Sequence, residues 1–207
     1  MNTQHMSAAP LDDRGGSPLA WLGFGLLSIG LFGLAYPVAT TLVGGALFAD
    51  AARGSLVEHN GHIVGSRLVA QPFADPRYFI PRPSAAGYAG LGLAGSNWAP
   101  SNPALRERVA VESATVAQRE GLAADSLPAE LVTTSGSGID PHLSPAGAAV
   151  QVARIARARG MEIERVQALL DAHVQEPDLG VFGQPRVNVL ELNLALDELA
   201  AGAGSTP

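Results

Sequence analysis

Residues 131–145 read LVTTSGSGIDPHLSP and gather five hydroxyl side chains, two glycines, an aspartate and a histidine ahead of a predicted helix. Three kinds of chemistry could use them. Ser137, Asp140 and His142 are the residue types of a hydrolase triad, in which a base reaches the nucleophile and an acid orients the base. All three lie within six residues here, whereas a triad is usually drawn from separate elements. Ser135 also stands where the nucleophile-elbow pattern G-x-S-x-G needs its first glycine. No catalytic residue is assigned on this basis. Gly136 and Gly138 could present backbone amides to a phosphate just before a helix N-terminus. The chain has no lysine, so the phosphate-loop pattern is absent. Ser135, Gly136, Ser137, Gly138, Asp140 and His142 therefore stand as a candidate nucleotide or partner loop. The third use is a tight turn, with Asp140 held extended before Pro141 and Ser144-Pro145 capping the next helix.

Two other clusters carry functional residue types. Glu58 and the pair His59-x-x-His62 suggest a metal, but the H-E-x-x-H order is missing and no metal site is assigned. Arg77, Tyr78, Arg82 and Tyr88 lie in a Pro/Gly-rich stretch, residues 71–103, that lacks periodicity. Arginine and tyrosine suit a docking surface; equally, Asp75 with Arg77 could tie the stretch down.

Composition narrows the classes. All 13 basic residues are arginine and cysteine is absent. That excludes lysine Schiff bases, thiolate catalysis, cysteine zinc sites and disulfides. A net charge of −6 argues against nucleic acid as a partner. Charged residues are only 15%, because Gly15–Ala49 carries none. Leu19–Phe48 exceeds the ~20 apolar residues that span a bilayer, and it is too long for the ~7–15-residue core of a signal peptide. It reads as a retained anchor. Gly23, Gly30, Pro37 and Gly44 recur every seven residues, with Gly33 nearby, so small residues predict a face for helix packing in lipid. Pro37 predicts a kink.

The elements that would position these groups follow from caps and periodicity. Asn102-Pro103 predicts a helix to about Glu120, stopped at Gly121, with Leu105, Val109 and Val116 inward. Ser144-Pro145 predicts another to Gly160, burying Ala148, Ala149, Val152, Ile155 and Ala156. Ile163, Val166, Leu169, Leu170 and Val174 line a third, and Val189–Leu199 forms a buried last one behind Asn188 and Glu191. His62–Ala70 reads as a short strand or two. The class is α+β: one N-terminal transmembrane helix followed by a single α-rich domain with a minor β element. The divisions are a tail at 1–17, a span at 18–43, a juxtamembrane connection at 44–62, a domain at 63–200 and a disordered tail at 201–207.

Residues 65–88, 95–103, 131–160 and 183–199, in this order behind one anchor, resemble the C subunit of the bacterial Kdp potassium-transporting P-type ATPase. The chain departs from the family's pattern at Trp98, Ala94, Ala99 and Gln184. The resemblance implies a non-catalytic subunit in the inner (cytoplasmic) membrane, with its soluble domain extracytoplasmic. It implies a channel-like A subunit, an ATP-hydrolysing B subunit and a small F subunit as partners, and potassium as the transported ion. No firmly bound cofactor is implied. A catalytic chaperone that raises the ATP affinity of the B subunit, through the Ser135–Gly138 loop, is the family's alternative. An external domain would affect ATP only by coupling through the complex.

Overall fold

A hydroxyl or amide side chain followed by proline starts three helices in this computed structural model, which describes residues 17–203. Ser17 Oγ accepts from the Ala20 amide at 3.2 Å and opens α1, Pro18–Ser28. Asn102 Oδ1 accepts from Ala104 N at 3.0 Å ahead of the helix Pro103–Glu120, and Ser144 Oγ from Gly147 N at 3.0 Å ahead of the helix Pro145–Arg159. Proline at the first turn loses no bond, because that amide has no intrahelical partner.

The first unit ends at Arg53. Its α1 continues through a π segment, Ile29–Ala35, into α2, Tyr36–Leu47, and a one-turn α3, Ala49–Ala52, follows. Pro18–Leu47 is the one helix among the described residues long and apolar enough to cross a membrane. It runs four residues past the expected end at 43. Pro37 has no N–H, and its ring crowds the carbonyl four residues back. The wider turns relieve this: the Tyr36 amide donates to Leu31 O, five residues back. Such turns also shift the helical register. The seven-residue spacing of Gly23, Gly30, Pro37 and Gly44 assumed one unbroken α register, so the stripe is offset between Gly30 and Pro37.

The second unit runs from Gly54 onward. Leu56–His59 (β1) and His62–Ser66 (β2) form an antiparallel hairpin. Asn60 and Gly61 both have positive φ, 52° and 77°, the conformation that a two-residue hairpin turn requires. The strand β1 lies inside what was expected to be a juxtamembrane connection. The helix α4, Pro103–Glu120, ends at Gly121. Two 3₁₀ turns, Ala124–Ser126 and Ala129–Leu131, then lead to β3, His142–Leu143. The helices α5, Pro145–Arg159, and α6, Ile163–Ala172, follow; β4, Val187–Asn188, pairs antiparallel with β3, and α7, Val189–Ala203, closes the unit. The helix α7 continues past the expected end at Leu199, into the segment read as a tail; residues 1–16 and 204–207 of the expected tails lie outside the described residues.

Val116, Val152, Ile155, Val166, Leu170, Leu192 and Leu196, from α4 to α7, enclose Phe79 in one core. Ala149 and Ile163, expected inside, face out, and Val174 lies beyond the end of α6. The α+β class with one candidate span is what the chain adopts.

Residues 71–84 cross this core with no helix or strand of their own. Their backbone groups are paired by side chains instead. The Asn193 amide brackets Phe79, accepting from its N at 2.8 Å and donating to its O at 2.9 Å. Gln151 does the same to Ile80, at 2.9 and 3.0 Å. Arg154 donates from Nη1 to Pro76 O and Tyr78 O, and from Nε to the buried Glu120 carboxylate at 3.0 Å. Burial pushes the Arg154 pKa down, and the Glu120 charge offsets part of that. A buried segment must satisfy its polar backbone somewhere, and here long side chains from α5 and α7 do it.

Candidate functional site

The loop of residues 131–145 packs on this strap. Ala70 N donates to Ile139 O at 2.8 Å, and Ser135 N to Pro83 O at 2.9 Å. The buried Ser135 hydroxyl accepts from Gly138 N at 2.8 Å, and Ser137 Oγ accepts from Ile139 N at 3.2 Å. Ser84 Oγ donates to Gly138 O at 2.6 Å. Gly138 sits at φ 75°, and a Cβ there would lie 2.7 Å from Ala94 O. Glycine is needed for both reasons. A phosphate cradle needs free, convergent amides. Here the amides of residues 135, 138 and 139 already donate within the chain.

The triad residue types do not assemble. Asp140 Oδ1 accepts from the His142 amide at 3.0 Å and lies 3.7 Å from His142 Nδ1. Asp140 Oδ2 accepts from Arg82 Nη1 at 3.1 Å. Ser137 contacts Ser135 Oγ at 3.3 Å, and no hydrogen bond joins Ser137 to His142 among the described residues. A nucleophile needs its base within hydrogen-bond reach. Burial pushes the Asp140 carboxyl up, but His142 and Arg82 outweigh it and hold the group below its ordinary value. The carboxylate is thus a brace between the strap and β3. Glu130 completes the loop by accepting from the Ser144 amide and hydroxyl.

The four residues read as a docking surface are each engaged inside the chain. Arg77 clamps Asp75 through Nε and Nη2, at 3.1 and 2.8 Å, and that hydrogen bonding lowers Asp75 to about 2. Tyr78 donates to Asp197 Oδ2 at 2.9 Å, and the Arg159 guanidinium carbon stands 4.8 Å from the centroid of its ring. Burial, then the Asp197 bond, raises the Tyr78 hydroxyl. Tyr88 donates to Arg82 O at 3.0 Å. Arg82 joins Asp140 as above. The structure brings Arg82, Tyr88, Asp140 and the Ser135–Gly138 turn together as one internal lattice, with Arg77 and Tyr78 at the other end of the strap. His59 and His62 are cross-strand partners beside the hairpin turn, which accounts for their spacing. Among the described residues no group of three or more His, Cys, Asp or Glu side chains could hold a metal ion.

Sequence reasoning did not find Gln151, Asn193 and the Glu120–Arg154 pair. Their signal was present only as polar residues on otherwise apolar helix faces.

In the anchor, nothing within the chain lies within 4 Å of a Cβ added at Gly23, Gly30 or Gly44, and Gly33 meets only Ile29, at 3.7 Å.

A family model described as K+-transporting ATPase, c chain, matches residues 19–198. The Potassium-transporting ATPase KdpC subunit of Xanthomonas campestris pv. campestris (strain B100) is 52% identical over 200 residues, covering 97% of this chain and 95% of its own length. That of Xanthomonas axonopodis pv. citri (strain 306) is 56% identical over 171 residues, covering 82% and 83%. That of Sorangium cellulosum (strain So ce56) is 51% identical over 177 residues, covering 83% and 92%. The motif order, the apolar span and the α+β unit behind it agree with these matches over nearly the whole length, and the chain belongs to the KdpC family, the c chain of the K+-transporting ATPase.

Proposed function

We propose that this chain is a non-catalytic accessory subunit that assembles and stabilises a high-affinity, ATP-driven potassium uptake complex. Its helix from Pro18 to Leu47 crosses the cytoplasmic membrane once and packs against a channel-like subunit. The domain lies on the extracytoplasmic side, with the ATP-hydrolysing subunit and a small F subunit completing the assembly. One observation carries this reading: none of the anchor's described residues is buried, and a Cβ added at Gly23, Gly30 or Gly44 meets no described atom within 4 Å, which leaves room for another helix. Helices in lipid associate through such close backbone approach. The span carries no Asp, Glu, His, Lys or Arg side chain to pass a potassium ion. Against a direct nucleotide contact stands the Ser135–Gly138 turn, in which the Ser135 and Gly138 amides already donate within the chain. Any influence on ATP affinity then travels through the assembly.

Two measurements test this. Gly30→Leu with Gly33→Leu should strip the channel-like subunit from the complex during purification in mild detergent; a complex recovered whole with full transport overturns the reading. The chain has no cysteine, so Ser205→Cys gives a single reporter. A membrane-impermeant thiol reagent should label it in intact cells, and labelling only after lysis would place the domain inside.

A further inference from the structure

A cavity of about 460 Å3 opens between α4, the loop before it, residues 83–85 and Thr134. That size falls in the ~300–1,000 Å3 range of small-ligand sites. Its walls carry the hydroxyls of Ser84, Ser96 and Thr134, the Trp98 ring, and Arg108 with Glu112 from α4. Arg108 and Glu112 are four residues apart, so both face the same side. Arg108 is the only cation among the described residues that line the cavity. Its guanidinium carbon stands 5.7 Å from the Trp98 ring centroid, which holds the head group in place. Its Nε is buried and has no hydrogen-bond partner. A buried donor without an acceptor costs stability, so the Arg108 head group is under-satisfied where it stands.

We propose that this cavity binds a carboxylate, either on a free small molecule or on an acidic side chain of another chain, with Arg108 as its counter-ion and Trp98 as its apolar floor. A planar guanidinium matches a carboxylate through two parallel N–H···O bonds. Glu112 sets the charge limit: it faces the same space and opposes a dianion such as phosphate. It also offers an acceptor to an N–H adjoining the bound carboxylate, as a peptide amide adjoins an acidic side chain.

The test reads Trp98 fluorescence in the detergent-solubilised full chain, in a Trp21→Phe background that leaves Trp98 as the only indole. The α-amide of N-acetylaspartate, which carries a single carboxylate, a blocked tetrapeptide containing aspartate, and inorganic phosphate are titrated separately. The expected result is a saturable change with a carboxylate probe, none with phosphate, and a loss of at least about tenfold in affinity in Arg108→Met, as for a lost charge-assisted bond. Saturation by both carboxylate probes points to a free ligand; saturation by the peptide alone points to a partner's side chain. The thermal midpoint of Arg108→Met should be unchanged or higher, because an unpaired donor is removed; an arginine with only a structural role would lower it. If that variant does not fold, Glu112→Gln decides: it should bind the acetylaspartate amide more tightly and admit phosphate. No saturation by either carboxylate, equal binding by phosphate in the unaltered chain, or binding indifferent to both substitutions overturns the proposal.

Discussion

Asn193 and Gln151 do for an irregular segment what a neighbouring strand does in a sheet. Each presents one acceptor and two donors on a side chain fixed by its helix, and each pairs both backbone groups of one strap residue. Asn193→Leu keeps the volume but leaves the Phe79 N–H and C=O buried and unpaired. Each orphan costs about 1–3 kcal/mol, so a loss of roughly 2–6 kcal/mol is expected by urea unfolding of the solubilised chain. A loss below that range would mean that water reaches the strap. Asp140 gives the pH dependence at this scale. Its folded pKa lies below the ordinary 3.8, so its brace contributes fully above that value. The contribution is lost as pH falls from there through the lower folded value, where the folded state takes up its proton after the unfolded one. Acid titration of stability should show this slope beginning under pH ~4, and Asp140→Asn should flatten it.

The helices were legible because their ends are written locally, whereas the strap was not. Asn102, Ser144 and Asn188 precede their helices, and Gly121 and Gly160 end theirs at φ 72° and 64°. Those signals need only a few neighbouring residues. The strap's backbone partners sit 71 and 114 residues away and are side chains, so no periodicity can announce them. For the same reason the intrachain partners of Arg82, Tyr78 and Tyr88, namely Asp140, Asp197 and a backbone carbonyl, were not legible in the sequence. The β1 strand was overlooked although Asn60-Gly61 marks its hairpin, because the apolar span upstream drew the residues after it into a connection. The π segment cannot be read from composition: Pro37 says that the ladder must break, not how. At this scale Gly160→Ala is informative. No atom within 4 Å obstructs the new methyl, so only the positive φ is penalised, and the cost should be about 1–2 kcal/mol. Ser144→Ala should cost about 1 kcal/mol for the lost cap.

The whole chain divides its tasks between two units. All of the buried apolar residues among those described lie between Val57 and Leu196, whereas no residue of the helix from Pro18 to Leu47 is buried. Stability of the domain and retention in a complex should therefore separate. A chain beginning at Gly54 keeps the whole described core and should unfold cooperatively, within about 0.5 kcal/mol of the full chain in the same detergent, the tolerance for independent regions. It should nonetheless fail to co-purify with the other subunits of the potassium-transporting ATPase. The converse variant, Gly23→Leu with Gly30→Leu, meets no obstruction inside the chain, so its domain should unfold at the unaltered midpoint while the complex loosens. The register offset at Ile29–Ala35 adds a further discrimination. If the two halves of the span face different neighbours, Gly44→Leu should release a different subunit from Gly30→Leu, whereas an unbroken α register would release the same one. Quantitative recovery of each subunit after affinity purification distinguishes these outcomes, and a destabilised domain in either glycine variant would show that the anchor and the core are coupled after all.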